Sequence, residues 1–310
     1  MSVKVMSMKP NKWSPKPEGT PSKSSEAKFQ VTENTELMVF LIAKMPHKSR
    51  INIKSLLRDK QVLVDGKAIS QFNHPLVAGQ EVQIKALKSH QEKPYKGLNV
   101  IFEDQYLIVI NKEAGLLSIA TDREKDQTAY SILSDHVKKE NPTNRIFIVH
   151  RLDRETSGVM IYAKSEKIQK LLQESWHETK ERVYAAVVEG QLKYPYGTVE
   201  SYLVESKAYI VYSSQNPNNG QKAVTHYETI KSNSNYSLVK VKLETGRKNQ
   251  VRVHMQDLGH PVIGDAKYGS KVNPIKRLGL HAWELNFIHP VTKEVFNFQT
   301  PLPGKFKALF

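Results

Sequence analysis

The chain contains no cysteine, which removes disulfides, thiolate nucleophiles and cysteine-ligated zinc together and fits a reducing compartment. Long apolar runs are also missing. Stretches such as Tyr106 to Ile110 fall far short of the roughly 20 residues a membrane-spanning helix needs, so no membrane association and a cytoplasmic location are expected. The 11 histidines are scattered, with no His-Glu-x-x-His or comparable ligand set, which argues against a metal hydrolase. Acids are in deficit: 31 Asp and Glu stand against 46 Lys and Arg, a net charge of +15. That excess makes a polyanion, nucleic acid above all, the first partner to consider. At 310 residues the chain has room for two domains.

Against that background, His150 to Gly158 packs charges of both signs between two greasy segments. Ile146 to Val149 before it and Val159 to Ala163 after it predict buried strands. Asp153 is therefore expected at the rim of a sheet, with Thr156, Ser157 and Gly158 as turn formers. Catalytic groups concentrate on such loops, held by rigid neighbours.

Residues 1–28 hold six lysines and four prolines and predict a disordered basic tail. Residues 29–92 predict a small α/β module: a buried helix from Glu36 to Lys44 stopped near Pro46, and a second helical stretch from about Ser49. A strand with an Asp-Gly hairpin turn follows over 61–67, then a turn and strand over 77–84. Between Lys44 and Lys60 six basic residues stand against one acid, Asp59. Two short helices would then share a positive face suited to phosphates, with Arg50 and Lys54 as candidate contacts. A linker is expected at 93–97, and a large domain over 98–310 that opens with a hairpin of Leu98 to Asp104 and Tyr106 to Asn111.

Further along, Ser165 is a candidate N-cap for a helix with Ile168, Leu171, Leu172 and Trp176 on one face. Arg182 to Gly190 predicts a strand in which Tyr184 reads, on pattern alone, as a core aromatic. Residues 213–222 predict a polar loop. Leu243 to His254 predicts the end of a strand, a Thr-Gly turn and a helix of about three turns ended by Gly259, with Arg247 and Lys248 in its first turn and Arg252 one turn later. Cations at a helix start oppose the macrodipole, so a bound anion or buried carboxylate is expected beside them; unpartnered surface cations are the alternative.

Two resemblances emerge from these segments. Ser49-Arg50, Leu56-Leu57, Val62 to Gly66 and Ala78 to Val82 resemble the small RNA-binding domain named after ribosomal protein S-four. His150-Arg151-Leu152-Asp153 with Thr156-Ser157-Gly158, then Thr245-Gly246-Arg247 with Gln250, Arg252 and His254, then Gly264-Asp265 with Tyr268-Gly269 resemble, in that order, the RluA/RluD family of RNA pseudouridine synthases. The likeness runs from Phe29 to Phe310. It implies an α+β fold, a mixed, largely antiparallel sheet preceded by the small α/β module, and a monomer. The implied activity is isomerisation of uridines to pseudouridine in structured RNA, with large-subunit ribosomal RNA ahead of transfer RNA, and with neither cofactor nor metal. By the same resemblance Asp153 is the catalytic aspartate, Tyr184 stacks on the target base and Arg247 pairs with the aspartate. Arg151 helps to hold the nucleotide flipped out, and Arg252, Lys54 and Arg50 are further substrate contacts. The chain departs from the family in having Glu113 where proline is common and Asn249 where histidine is usual.

The chemistry agrees with that assignment. Moving the ribose from a base nitrogen to a base carbon changes no redox state and releases no fragment, so a carboxylate suffices. It can add to the ribose or base, or remove the ribose 2′ proton, and the sequence leaves these routes open. A neighbouring arginine favours the charged carboxylate in a closed pocket, and a stacking aromatic offsets part of the cost of extracting the base, about a few kcal/mol. A glycosidase built on Asp153 and Glu155 fits poorly, because positions two apart give no control of the carboxylate separation and the positive charge does not suit a neutral sugar. The remaining alternative is a non-catalytic RNA-binding or ribosome-assembly protein, in which Asp153 and Arg247 form a structural ion pair.

Overall fold

The computed structural model describes residues 5–6, 27–45, 53–54, 56–57, 60–84, 95–121, 124, 127–177 and 181–310. The chain divides into two compact units, Pro10–Lys93 and Met1–Lys9 with Pro94–Phe310. Of the expected basic tail, only 5–6 and 27–28 lie within the described residues, and both are strand: β1 (Val5–Met6), which pairs with Thr198 and Val199 of the larger unit, and the start of β2 (Ala27–Gln30).

In the smaller unit, β3 (Thr35–Glu36) leads into α1 (Leu37–Lys44), whose Leu37, Phe40 and Leu41 are buried. Strands β4 (Val62–Val64) and β5 (Lys67–Ala68) form the expected hairpin. Asp65 and Gly66 both take positive φ, 47° and 80°, as a tight turn between twisted strands requires. With β6 (Pro75–Leu76) and β7 (Glu81–Ile84) the unit has a four-stranded sheet, β2-β7-β4-β5, and a β3–β6 pair. Ile53 and Leu57 join Leu41, Val62 and Val82 in its core. Lys54 is exposed, its ammonium 5.9 Å from the Phe72 ring centre. Arg50 lies outside the described residues.

The larger unit carries a 12-stranded sheet. Strands β8 (Leu98–Glu103) and β9 (Leu107–Lys112) form the opening hairpin, followed by α2 (Ala129–Glu140), capped by Thr128 and Ser131 in reciprocal hydrogen bonds. The linker expected at 93–97 is partly built into this domain, since the Tyr95 hydroxyl meets Nδ1 of His136 in α2 at 2.8 Å. The run expected as a buried strand at 146–149 shrinks to β10 (Phe147–Ile148), whereas β11 (Ser157–Ala163) is buried throughout. Helix α3 (Glu166–Glu174) has Ser165 as its N-cap. The remaining strands are β12 (Glu181–Glu189), β13 (Tyr196–Glu205), β14 (Val211–Ser214), β15 (Gln221–Ser232), β16 (Tyr236–Leu243), β17 (Leu280–Ile288) and β18 (Val295–Gln299). The polar stretch at 213–222 is thus a loop only between β14 and β15. Two more helices, α4 (Gln250–Asp257) and α5 (Gly304–Lys307), lie between β16 and β17 and at the chain's end.

The sheet runs β1-β13-β15-β16-β12-β17-β11-β9-β8, with β14 on β13, β18 on β17 and β10 on β11. Among these pairs β11 with β17 is parallel and the rest are antiparallel. Strand β12 explains its own composition. Ala186 and Val188 pack against Val251 and Met255 of α4, while Ala185 and Val187 pack on the other face with Ile263 and Phe306. A strand covered on both sides loses apolar-polar alternation and reads as a continuous apolar run. Arg182 and Tyr184, at the even positions, project on the α4 side.

Ser157 and Gly158 are strand residues rather than turn formers: they pair with His281 and Ala282 in the parallel contact. Gly158 has φ +119°, and a Cβ there would collide with the backbone of Ala282. Gly158→Ala should therefore destabilise the fold by about 3 kcal/mol and lower Tm by roughly 10 °C, measured by thermal unfolding. A variant that melts with the wild type would show that the close approach of β11 and β17 is dispensable.

Candidate active site

The junction of β10 and β11 carries the charged loop to the sheet's edge, where a cleft of about 390 Å³ is lined by Arg151, Asp153, Tyr184, Gly246, Arg247 and Arg252, among others. The loop backbone is fixed from beneath. Lys112, fully buried, donates from Nζ to the carbonyls of Arg154 at 3.0 Å, Leu116 at 2.7 Å and Glu113 at 3.0 Å. Three acceptors match the three N–H groups of an ammonium, while burial pulls its pKa down to about 7 against the opposing charge of Glu155. Ser118 Oγ donates to the Leu152 carbonyl at 2.7 Å, and Gly115 N donates to the Arg154 carbonyl at 2.9 Å. Glu113 enters this turn through its backbone, so the side-chain departure from proline leaves the lysine's contact intact.

The partner of Asp153 is Arg252, not Arg247. Arg252 donates from Nη1 to Asp153 Oδ2 at 3.2 Å and makes a bidentate pair with Asp265, Nε to Oδ2 at 2.6 Å and Nη2 to Oδ1 at 2.7 Å. Burial opposes the charge on Arg252, but Asp265 and Asp153 more than offset it and its pKa is raised. The guanidinium also lies 4.8 Å from the ring centre of Tyr268. Arg247 instead turns away, donating from Nε to the Lys222 carbonyl at 3.0 Å.

The physical reason lies in the turn. The helix expected to include Arg247 and Lys248 starts only at Gln250, because Asn249 takes φ 56° in the left-handed region and ends the loop there. Gln250 locks that loop: its Oε1 accepts from Arg247 N at 2.9 Å and Thr245 Oγ1 at 2.8 Å, and its Nε2 donates to the Val224 carbonyl at 2.9 Å. Arg252 thereby becomes the cation of the first helical turn, with two carboxylates to offset the dipole. Asn249 fills the place expected for histidine by accepting from Arg252 Nη1 at 3.2 Å and donating to the Tyr268 hydroxyl at 2.8 Å.

Tyr184 is half-buried and lines the cleft with Asp153. Burial, with Asp153 adding to it and Arg182 opposing, pushes its phenol up to about 12, so it is neutral at physiological pH. Arg151 also lines the cleft and is exposed. The structure thus gathers Asp153, Tyr184, Arg247, Arg151 and Arg252 in one cleft. Lys54 belongs to the other compact unit. Asp265, visible in the sequence only as part of the Gly264-Asp265 motif and without a role there, is the anchor of Arg252, 13 residues before it. Among the described residues no group of three or more His, Cys, Asp and Glu is placed to hold a metal.

Removing Arg252 strips the buried Asp265 of its cation. Arg252→Ala should cost about 3–5 kcal/mol and abolish turnover, whereas Arg247→Ala should melt within about 1 kcal/mol of the wild type. Thermal unfolding and product analysis together check this, and the reverse ranking would restore Arg247 as the aspartate's partner.

Two buried histidines, His254 and His281, and the half-buried His150 set the acid limit. Burial lowers His254 and His281 to about 4 and His150 to about 3, from an ordinary 6.5, with Arg277 and Arg182 adding to the effect at His281 and His150. The unfolded chain takes up these protons first as pH falls, so stability is full above pH 6.5 and is lost toward pH 4. Tm measured against pH should fall through that window, and a flat profile would mean the rings are solvated.

Comparison with known proteins agrees with this geometry. Residues 106–257 match the family model described as RNA pseudouridylate synthase. An uncharacterised RNA pseudouridine synthase of Bacillus subtilis, YhcT, is 35% identical over 218 residues, 69% of this chain and 72% of its own length. A ribosomal large subunit pseudouridine synthase D of Nitrosomonas europaea is 30% identical over 312 residues, 92% of this chain and 90% of its own. Among solved structures, human RNA pseudouridylate synthase domain containing 4 superposes with a TM-score of 0.57 at 26% identity, covering 67% of this chain and 90% of that one. A cleft that sets one aspartate against an arginine and a tyrosine, on a fold shared with these enzymes, places the chain in the RluA/RluD family of RNA pseudouridine synthases, which isomerise uridine in RNA.

Proposed function

We propose that the substrate is large-subunit ribosomal RNA and that the protein acts on it as a monomer in the cytoplasm. The observation that carries the reading of the site is the Arg252–Asp153 contact beside Tyr184. It supplies a carboxylate, a fixed cation and an aromatic in a cleft large enough for one base. In the isomerisation the bond from ribose C1′ to base N1 breaks, the base turns, a bond from C1′ to C5 forms, and the proton on C5 is lost as N1 gains one. Asp153 serves as the group that adds to the sugar or to the base, or as the base that removes the 2′ proton; each route needs it charged and within reach of the target nucleotide. The unchanged composition of the substrate accounts for the lack of any call for a cofactor.

Two observations support the ribosomal preference. The Nitrosomonas relative bears a ribosomal name and spans nearly the same length. The smaller unit contains helix α1 and the β4–β5 hairpin, which are in keeping with the resemblance to an S-four-like RNA-binding domain, and it exposes Lys44, Lys54 and Lys60. A separate basic module helps most when the substrate extends beyond the flipped nucleotide.

Asp153→Asn should reduce pseudouridine formation by roughly a thousandfold or more while leaving RNA affinity and circular dichroism unchanged. Mass-labelled nucleoside analysis of purified reactions, joined to a pseudouridine map of cells with and without the gene, tests both parts. Turnover retained in the variant would remove the mechanism, and a lost site in transfer RNA alone would overturn the ribosomal assignment.

A further inference from the structure

Two arginines stand without an acid beside the cleft: Arg247, which lines it, and Arg182, which lies behind Gly246 of its wall. Arg182 donates from Nη2 to the Glu244 carbonyl at 3.1 Å, its Nε is buried without a hydrogen-bond partner, and its Nη1 lies against Gly246 in the cleft wall. Among the described residues the Arg247 side chain makes one hydrogen bond, from Nε to the Lys222 carbonyl at 3.0 Å. Among the described residues neither forms an ion pair, while the lysines around them do: Lys222 with Glu200 at 2.9 Å, Lys242 with Glu181 and Lys248 with Glu205. Burial lowers the pKa of Arg182, Tyr184 opposes that, and Arg247 lowers it further, so the two guanidiniums repel each other. Nearby His150 is neutral at physiological pH and adds no third positive charge. Two adjacent, partly desolvated cations and an unsatisfied buried N–H are costly in the free protein, and an anion between them would relieve both terms.

We infer that Arg182 and Arg247 form a phosphate clamp that holds a backbone phosphodiester next to the uridine being isomerised. This rests on the cleft being the uridine site. Arg182 lies two residues before Tyr184 on the same face of β12, a separation of about 7 Å along the strand. A base lying against Tyr184 and Asp153 would therefore present its own sugar-phosphate backbone toward Arg182. The planar fork of a guanidinium matches two phosphate oxygens, which an ammonium cannot do. Of the nearby acids, Glu200, Glu181 and Glu205 hold lysines and Glu244 holds His226, so none is paired with the arginines. The ligand class is a phosphodiester of single-stranded or unstacked RNA, which leaves the base edge free for the cleft.

The test uses the full chain and a ribosomal RNA stem-loop in which the wild type converts a uridine. Each linkage flanking that uridine is replaced singly by a neutral methylphosphonate, in both configurations at phosphorus. Single-turnover rates at subsaturating enzyme are compared for the wild type, Arg182→Ala, Arg182→Gln and Arg247→Ala. At one linkage, neutralisation should slow the wild type about tenfold and each arginine variant less than twofold, since the contact it removes is already gone. Conversion of the unmodified stem-loop by the wild type tests the enzymatic reading separately. Neutral linkages without effect on the wild type, or the same fractional loss in wild type and variants, would overturn the clamp. Arg182→Gln keeps a donor for the Glu244 carbonyl, so a loss shared by Ala but absent in Gln at every linkage would also overturn it and leave Arg182 a structural residue.

Discussion

Arg252 is held between two carboxylates of unequal exposure, and the active site is arranged around that inequality. The Asp265 side chain is 1% exposed and takes two of the arginine's hydrogen bonds; Asp153 is 39% exposed and takes one. Breaking the inner pair would strand a buried charge at a cost of about 3–5 kcal/mol, so the guanidinium stays in place whatever happens in the cleft. Asp153 therefore faces a cation whose position was fixed by folding, and no reorganisation is needed when charge moves during reaction. Tyr268 and Asn249 narrow the remaining freedom by packing on the guanidinium and bonding to its Nη1.

The carboxylate itself is positioned by backbone contacts as much as by its neighbours. Lys112 gathers the carbonyls of the early turn and of Arg154, while Ser118 grips Leu152, so the residues on both sides of Asp153 are tied to β9 and the turn after it. On the far side, Ser157 meets His281 Nδ1 at 2.7 Å and accepts from Arg277 Nη2 at 2.7 Å, which also donates to the Leu280 carbonyl at 3.1 Å. Leu280 lines the cleft. The polar groups under the loop thus satisfy one another in a low-dielectric setting, where a missing partner is expensive and a complete network is rigid.

How much of this was legible follows from the range of each signal. The charged loop and its flanking apolar runs are local, so Asp153 could be placed at a sheet edge from sequence. The Asp65-Gly66 turn and the Ser165 cap are equally local. The identity of the aspartate's partner was not, because it depends on where the helix begins. Asn249 in a left-handed conformation delays α4 until Gln250 and changes which arginine faces the loop. The resemblance named Arg247, and a helix running straight on from the Thr245-Gly246 turn would put Arg247 in its first turn; the helix that begins at Gln250 puts Arg252 there instead. Asp265 is a contact through space with no periodic signature. Ser157 and Gly158 read as turn formers by composition, yet the glycine serves a close approach to Ala282 that only the sheet topology creates.

Arginine is put to two uses within this small region, and the distribution of acids decides which. Where Asp265 and Asp153 are in reach, Arg252 is neutralised and 15% exposed, a fixed part of the machinery. Where neighbouring glutamates already hold lysines, Arg182 and Arg247 keep their charge for an incoming polyanion. Screening by salt acts strongly on exposed charges and weakly on buried pairs, with a Debye length of about 8 Å at physiological ionic strength. Ionic strength therefore works on the capture of RNA and leaves the field at Asp153 nearly unchanged. The net charge of +15 describes the first of these functions and not the second: the reacting carboxylate depends on one charge that folding has already neutralised, and the rest of the basic surface governs how often a uridine reaches it.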